Sequence, residues 1–235
     1  MNTVSRIDAF VEETSFGNWF LKSETWKVHV LCRALDDLQR MIPGGKRFER
    51  ILDVGCGFGH SFGELGQRFK PEQIVGLDAD PRIHDRAGPQ ARRCPCAVAL
   101  QSGSAASMPF SDAQFDMVYC HQTFHHIVAQ EAAMAEFFRV LKPGGVLLFA
   151  ESTRKYIHSL QIRLLFRHPM DVQRTAPEYA AMIRQAGFDL PDSRISLPYL
   201  WWSRPDVGFM EWIGVPLPKP EEREETLINA VAIKP

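Results

Sequence analysis

Three glycines at alternate positions, Gly55, Gly57 and Gly59, follow directly on the apolar run Ile51-Leu52-Asp53-Val54. Without side chains they let a ligand touch the backbone, and the helix that follows points its free amide groups into the same space. A nucleotide suits that arrangement. A dinucleotide fingerprint, G-x-G-x-x-G, wants glycine at position 60, where this chain has His60, so a nicotinamide cofactor is a poor fit. Asp78 closes the next apolar run, in IVGLDAD, where a carboxylate grips the hydroxyls of a ribose. Asp80 lies close enough to compete for that role, and strand-end geometry favours Asp78.

Histidines offer a second kind of chemistry. His121, His125 and His126 cluster within six residues, and His125 or His126 is a candidate general base. Packing of Phe124-His125-His126-Ile127 as pocket floor is the competing account. A spacing of four puts His121 and His125 on one helical face, yet no third ligand with characteristic spacing is visible, so no metal is expected. Cys94 and Cys96, in Cys-Pro-Cys, would make an incomplete soft-metal or thiophile site. Five cysteines without a framework spacing read as reduced thiols.

The elements that must position these residues alternate. Candidate strands are Arg50 to Val54, Gln73 to Asp78, Ala97 to Gln101, Phe115 to Cys120 and Gly145 to Glu151. Helices fit between them, at Gly59 to Phe69, after Pro81 and over Glu131 to Leu141. Such alternation predicts an α/β fold with a parallel sheet covered on both faces. Ser23 to Ile42 is an amphipathic helix stopped by Pro43-Gly44-Gly45, the core of an N-terminal helical cap over 1–45. Within the main domain, 46–235, a helical cover spans 153–190. It holds a predicted helix from Thr153 to His168 and a second one opened by the capping box Thr175-Ala176-Pro177-Glu178. Two late strands fit Arg194 to Leu200 and Thr226 to Ile233. The stretch 199–222 between them, with Tyr199, Trp201, Trp202, Phe209 and Trp212, reads as a lid-like insertion, a satellite core against Phe16, Trp19, Phe20 and Trp26, or a dimer contact.

Four segments together resemble the class I S-adenosylmethionine-dependent methyltransferases of small-molecule type. ILDVGCGFG is similar to the family's first motif and VGLDAD to its second. GSAASMPFSDAQFDMVYCHQTFHHI is similar to the third and fourth, and RVLKPGGVLLFAE to the fifth strand with its preceding turn. The resemblance implies a doubly wound, mostly parallel seven-stranded Rossmann-like sheet whose last strand is antiparallel. It implies S-adenosyl-L-methionine as cofactor and S-adenosyl-L-homocysteine as product. Backbone at Gly55, Cys56, Gly57 and Gly59 would lie against the methionine part, with Asp53 supporting the loop. Asp78 would bind the ribose and Ala79 would pack on adenine. Members of the family carry an aspartate where this chain has Ser104; the hydroxyl would accept the adenine amino group more weakly, with the Ala105 amide beside it. His121 would meet the methionine end through its carbonyl.

The acceptor is less legible. Lysine plus arginine (27) nearly cancels aspartate plus glutamate (28), which gives no reason to expect nucleic acid. After the fourth strand the chain reads YCHQTF and lacks the Asn- or Asp-Pro-Pro-aromatic tetrapeptide of base methyltransferases. A small, hydrophobic or aromatic acceptor is expected. A catalytically inactive cofactor-binding regulator is the alternative, since its motifs would look alike. Arg154, Lys155, Arg163 and Arg167 on the cover helix leave contact with a membrane surface open, and a homodimer is also left open. Met1 to Phe20 carries no apolar run of signal-peptide length, so a cytoplasmic protein is expected.

Overall fold

The computed structural model describes residues 13–235, so the first twelve residues of the expected cap lie outside the described residues. Seven strands form one sheet in the order β3-β2-β1-β4-β5-β7-β6. They are β1 (Arg50–Val54), β2 (Gln73–Asp78), β3 (Ala97–Ser102), β4 (Phe115–His121), β5 (Leu141–Ser152), β6 (Ile195–Ser196) and β7 (Leu227–Ile233). The first five are parallel, and β7 runs antiparallel to both of its neighbours. Ile51 to Val54 of β1 are all buried because helices cover both faces.

The helices, in chain order, are α1 (Ser15–Leu21), α2 (Glu24–Trp26), α3 (Arg33–Met41), α4 (His60–Phe69), α5 (Ile83–Ala91), α6 (Gln130–Val140), α7 (Arg154–Ile157), α8 (Leu160–Leu165), α9 (Ala176–Gln185) and α10 (Phe209–Trp212). One face of the sheet is packed by Leu35 and Leu38 of α3, Phe62 and Leu65 of α4, and Ile83 and Ala87 of α5. Met134 and Phe137 of α6 pack the other, with Tyr179 and Ile183 of α9. The start of α9 is set as the sequence predicts, with Glu178 N–H donating to Thr175 Oγ1 at 3.3 Å and Thr175 N–H donating to Glu178 Oε2 at 2.7 Å. No helix among the described residues is long and apolar enough to cross a membrane.

Three expected elements differ. The helix from Ser23 to Ile42 holds a π-helical stretch, Lys27–Cys32, between α2 and α3. The helix predicted over Thr153 to His168 is two short ones. Ser159 takes an extended conformation and is buried, and Thr153 and Arg154 N–H groups are drawn off to the carbonyls of Thr226 and Arg174. Leu160 and Leu164 are left 73% exposed. The strand at Arg194 to Leu200 shrinks to two residues, because β6 pairs only at Ile195 and Ser196.

Register is what brings the chemistry together. Val54 pairs with Leu77 on one side and with Cys120 on the other, so Gly55, Asp78 and His121 leave the sheet at one level. That level is the carboxyl edge at the β1/β4 switch point, where open α/β sheets hold their ligands.

Candidate functional site

A cavity of about 600 Å³ opens at that edge. Its walls include Asp53, Gly55, Cys56, Gly57, Asp78, Ala79, Ser104, Ala105, His121 and His126. Two residues named from the sequence stand outside it. Gly59 is buried and left-handed at the start of α4, and a Cβ there would lie 2.7 Å from the Phe62 ring, so its need for glycine is internal packing. His125 is 3% exposed and does not line the cavity.

The glycine loop folds back on β2. Gly55 N–H donates to Leu77 O at 2.7 Å, and Gly57 N–H to Asp78 Oδ2 at 2.8 Å. Gly55 must be bare, since a Cβ would lie 2.1 Å from Thr123 Cγ2. At Gly57 a Cβ would meet only the Gly55 carbonyl, 4.0 Å away, and would project into the cavity. The loop is thus a cradle that a side chain would fill. Asp53 holds it from beneath by accepting from Ser61 Oγ in the first turn of α4. Burial pushes the Asp53 carboxyl up to about 7, against the lowering effect of Ser61.

Asp78 and Asp80 have separate tasks. Asp78 faces the cavity and also caps the Asp80 amide at 2.9 Å. Asp80 is 1% exposed and bound by Arg82 and Arg86; the Arg82 hydrogen bond, then the backbone and Arg86, hold its carboxyl far below the usual range. Of the two, Asp78 alone lines the cavity, and Asp80 is committed to its arginines. Ser104 Oγ accepts from Ala106 N–H at 3.2 Å, which uses part of its hydrogen-bonding capacity within its own turn. His121 O accepts from Thr123 Oγ1 at 3.2 Å, while its buried Nε2 has no partner. Burial lowers the His121 imidazole to about 4.

Several contributors were not assigned to the site from the sequence. Asn18 and Leu21 of α1 and Trp26 of α2 roof the cavity, and the Trp26 ring centroid stands 5.6 Å from that of His121. Glu151 is fully buried and gathers the turn after β4. It accepts from the amides of Thr123 (2.8 Å) and Phe124 (2.7 Å) and pairs with His125 Nδ1 at 2.6 Å. A lone acid in the apolar run VLLFAES was the available signal. His168 packs on both His125 and His126, with ring centroids 5.1 and 4.7 Å apart, though forty-odd residues separate them in the chain. Burial, then His125 and His168, lowers the His126 imidazole well below its ordinary range. Such an imidazole is a weak proton acceptor.

No residue of 199–222 lines the cavity. Phe16 and Phe20 pack on Phe166. Cys94 and Cys96 stand 3.4 Å apart behind α4, away from the cavity. Burial and the Cys94 neighbour push the Cys96 thiol up to about 12.

Residues 52–149 match the family model described as a methyltransferase domain. Over these residues the chain carries a methyltransferase domain and is similar to the S-adenosylmethionine-dependent methyltransferases. It is 32% identical over 154 residues to a demethylmenaquinone methyltransferase of Deinococcus radiodurans, covering 63% of this chain and 61% of that one. To a phosphoethanolamine N-methyltransferase of Triticum aestivum it is 29% identical over 181 residues, 76% of this chain and 30% of the relative. The chain therefore spans between 30 and 61% of the length of these curated relatives. A chain from the complex between the Haloferax volcanii Trm112 methyltransferase activator and a methyltransferase shares the fold at TM-score 0.67, with 19% identity over 94% of this chain and 96% of that one. The family's cofactor suits the residues present: the methyltransferase domain offers a bare cradle at Gly57, a cavity-facing carboxylate at Asp78 and an unpartnered buried His121 Nε2 beside them.

Proposed function

We propose that this protein transfers the methyl group of S-adenosyl-L-methionine to a small, hydrophobic or aromatic acceptor. The observation that carries this reading is one continuous cavity whose lining joins the glycine loop, Asp78, Ala79, Ser104 and Ala105 to the apolar side chains of Leu21, Trp26, Ile127 and Val128. When bound, the cofactor supplies an already activated sulfonium methyl, which an in-line nucleophile displaces. In this reading Asp78 and the Gly55–Gly57 backbone hold the cofactor, Ala79 packs on its base, and Ser104 with Ala105 meets the base edge.

The chain's remaining work is alignment and exclusion of water, worth on the order of 7 to 11 kcal/mol when geometry is good. Leu21 and Trp26 cover the reacting end. Their apolar surface favours a quinone-like ring, as the name of the Deinococcus relative implies for that protein, over a phosphorylated amine. Calorimetric titration with S-adenosylmethionine and its demethylated product, with NAD as control, tests the cofactor half. Micromolar binding of the first two and none of NAD is expected; failure of both to bind to well-folded protein would remove the proposal. Methyl release from labelled cofactor onto aromatic and phosphorylated acceptors then tests the other half.

A further inference from the structure

We propose that His125, His126 and His168 form a binding site for a divalent transition metal such as Zn²⁺ at the acceptor end of the cavity. One nitrogen from each ring can be chosen so that all three lie within 4.8 Å of one another. Their ring centroids are 4.3, 4.7 and 5.1 Å apart. Zinc–imidazole bonds of about 2.0–2.1 Å in a tetrahedral site put the ligand nitrogens about 3.4 Å apart, so the trio must draw in by about 1.4 Å. His168 can supply that movement, because it is half-buried in the connection between α8 and the 3₁₀ turn Met170–Val172.

Two further contacts set this cluster apart from three rings packed as filler. Metal-bound imidazoles commonly hold their second nitrogen on a carboxylate, which fixes tautomer and orientation. Glu151 Oε2 does this to His125 Nδ1 at 2.6 Å, leaving Nε2 for the cluster. Gln173 Nε2 donates both to His125 O at 2.8 Å and to Pro169 O at 2.7 Å, so one side chain fixes the backbone at His125 and the backbone next to His168. Filler would need neither a buried carboxylate nor a buried amide committed to orienting it.

Of the three, His126 lines the cavity, so the ion's remaining position faces the space assigned to the acceptor. Resting on the methyl-transfer reading, this narrows the acceptor to one with a ligating hydroxyl or thiol. The ion favours loss of that group's proton to solvent. The freed lone pair forms the bond to the methyl carbon as the carbon–sulfur bond breaks, and the cofactor departs as a neutral thioether.

The test uses tag-free, chelator-washed protein without cofactor. Zn²⁺ binding is followed by calorimetry and Co²⁺ binding by visible absorption. One equivalent bound at micromolar or tighter Kd, with tetrahedral cobalt bands, is expected. His168→Ala should weaken binding about 100-fold or more at unchanged melting temperature, and His126→Asn gives a second variant should the first fold poorly. Glu151→Gln should cost about 10- to 100-fold. Absence of binding in the wild type, or binding that neither histidine variant alters, overturns the site. A separate S-adenosylmethionine titration keeps the two readings apart: metal without cofactor binding removes methyl transfer alone, and cofactor without metal binding removes this site alone.

Discussion

The helical cap at 13–41 and the aromatic segment at 199–222 are both rich in tryptophan and phenylalanine, yet they end up in opposite roles. Trp26 of the cap stands over the cavity beside His60 and His121. Trp201 and Trp212 of the segment are 59% and 80% exposed. The segment is nonetheless folded, organised around the buried Arg204, whose Nη2 donates to Glu211 at 2.7 Å. Topology explains the difference. β6 is parallel to β5 and releases the chain at the cavity's edge of the sheet, but it lies three strands beyond β4, about 14 Å at normal strand spacing. Aromatic content alone does not locate a binding wall, since Trp26 of the cap lines the cavity and the tryptophans of the segment do not.

The contrast can be tested from its strongest side to its weakest. Asp53, under the cradle, carries the largest effect. Between pH 4 and 7 the unfolded carboxyl gives up its proton while the buried one keeps it, so its contribution to stability falls as pH rises and is constant above about 7. A shift from 3.8 to about 7 corresponds to on the order of 4 kcal/mol. Denaturant melts of Asp53→Asn and wild type across that window should therefore diverge, with the variant gaining on the wild type as pH rises; parallel curves would remove the burial argument.

Asp78→Ala comes next. It deletes both the cavity carboxylate and the acceptor for Gly57 N–H, and should weaken cofactor binding about 100-fold, near 2.7 kcal/mol. Trp26→Ala opens the roof and should raise the cofactor Kd about tenfold. A change below twofold would mean that the cap is only structural. Trp212→Ser, on the exposed segment, should leave Kd within a factor of two while lowering self-association at high concentration; a tenfold loss of cofactor affinity there would erase the distinction between the two regions.

Much of this was legible in the sequence because it is local. β1 and β2 have the limits that apolar runs ending in Asp53-Val54 and Asp78 suggest, and the capping box at Thr175 forms as written. Local pattern failed where distant contacts won. The periodicity from Thr153 to His168 suits one helix, but Ser159 between α7 and α8 is extended and buried, and Gln161 is drawn to the Arg204 carbonyl. For the site, the glycine loop and Asp78 stood out because their chemistry is written in adjacent residues. Glu151, Gln173 and His168 did not, since a histidine trio drawn from two distant segments has no spacing to read.

The first helix of the cap is anchored to the segment just before His168. Thr14 Oγ1 donates to Leu165 O at 2.6 Å, Arg167 N–H donates to Glu13 Oε1 at 3.1 Å, and Phe166 fits between Phe16 and Phe20. The residue after these three anchors is His168. Any displacement of the first cap helix is therefore transmitted directly to the stretch of chain that carries His168.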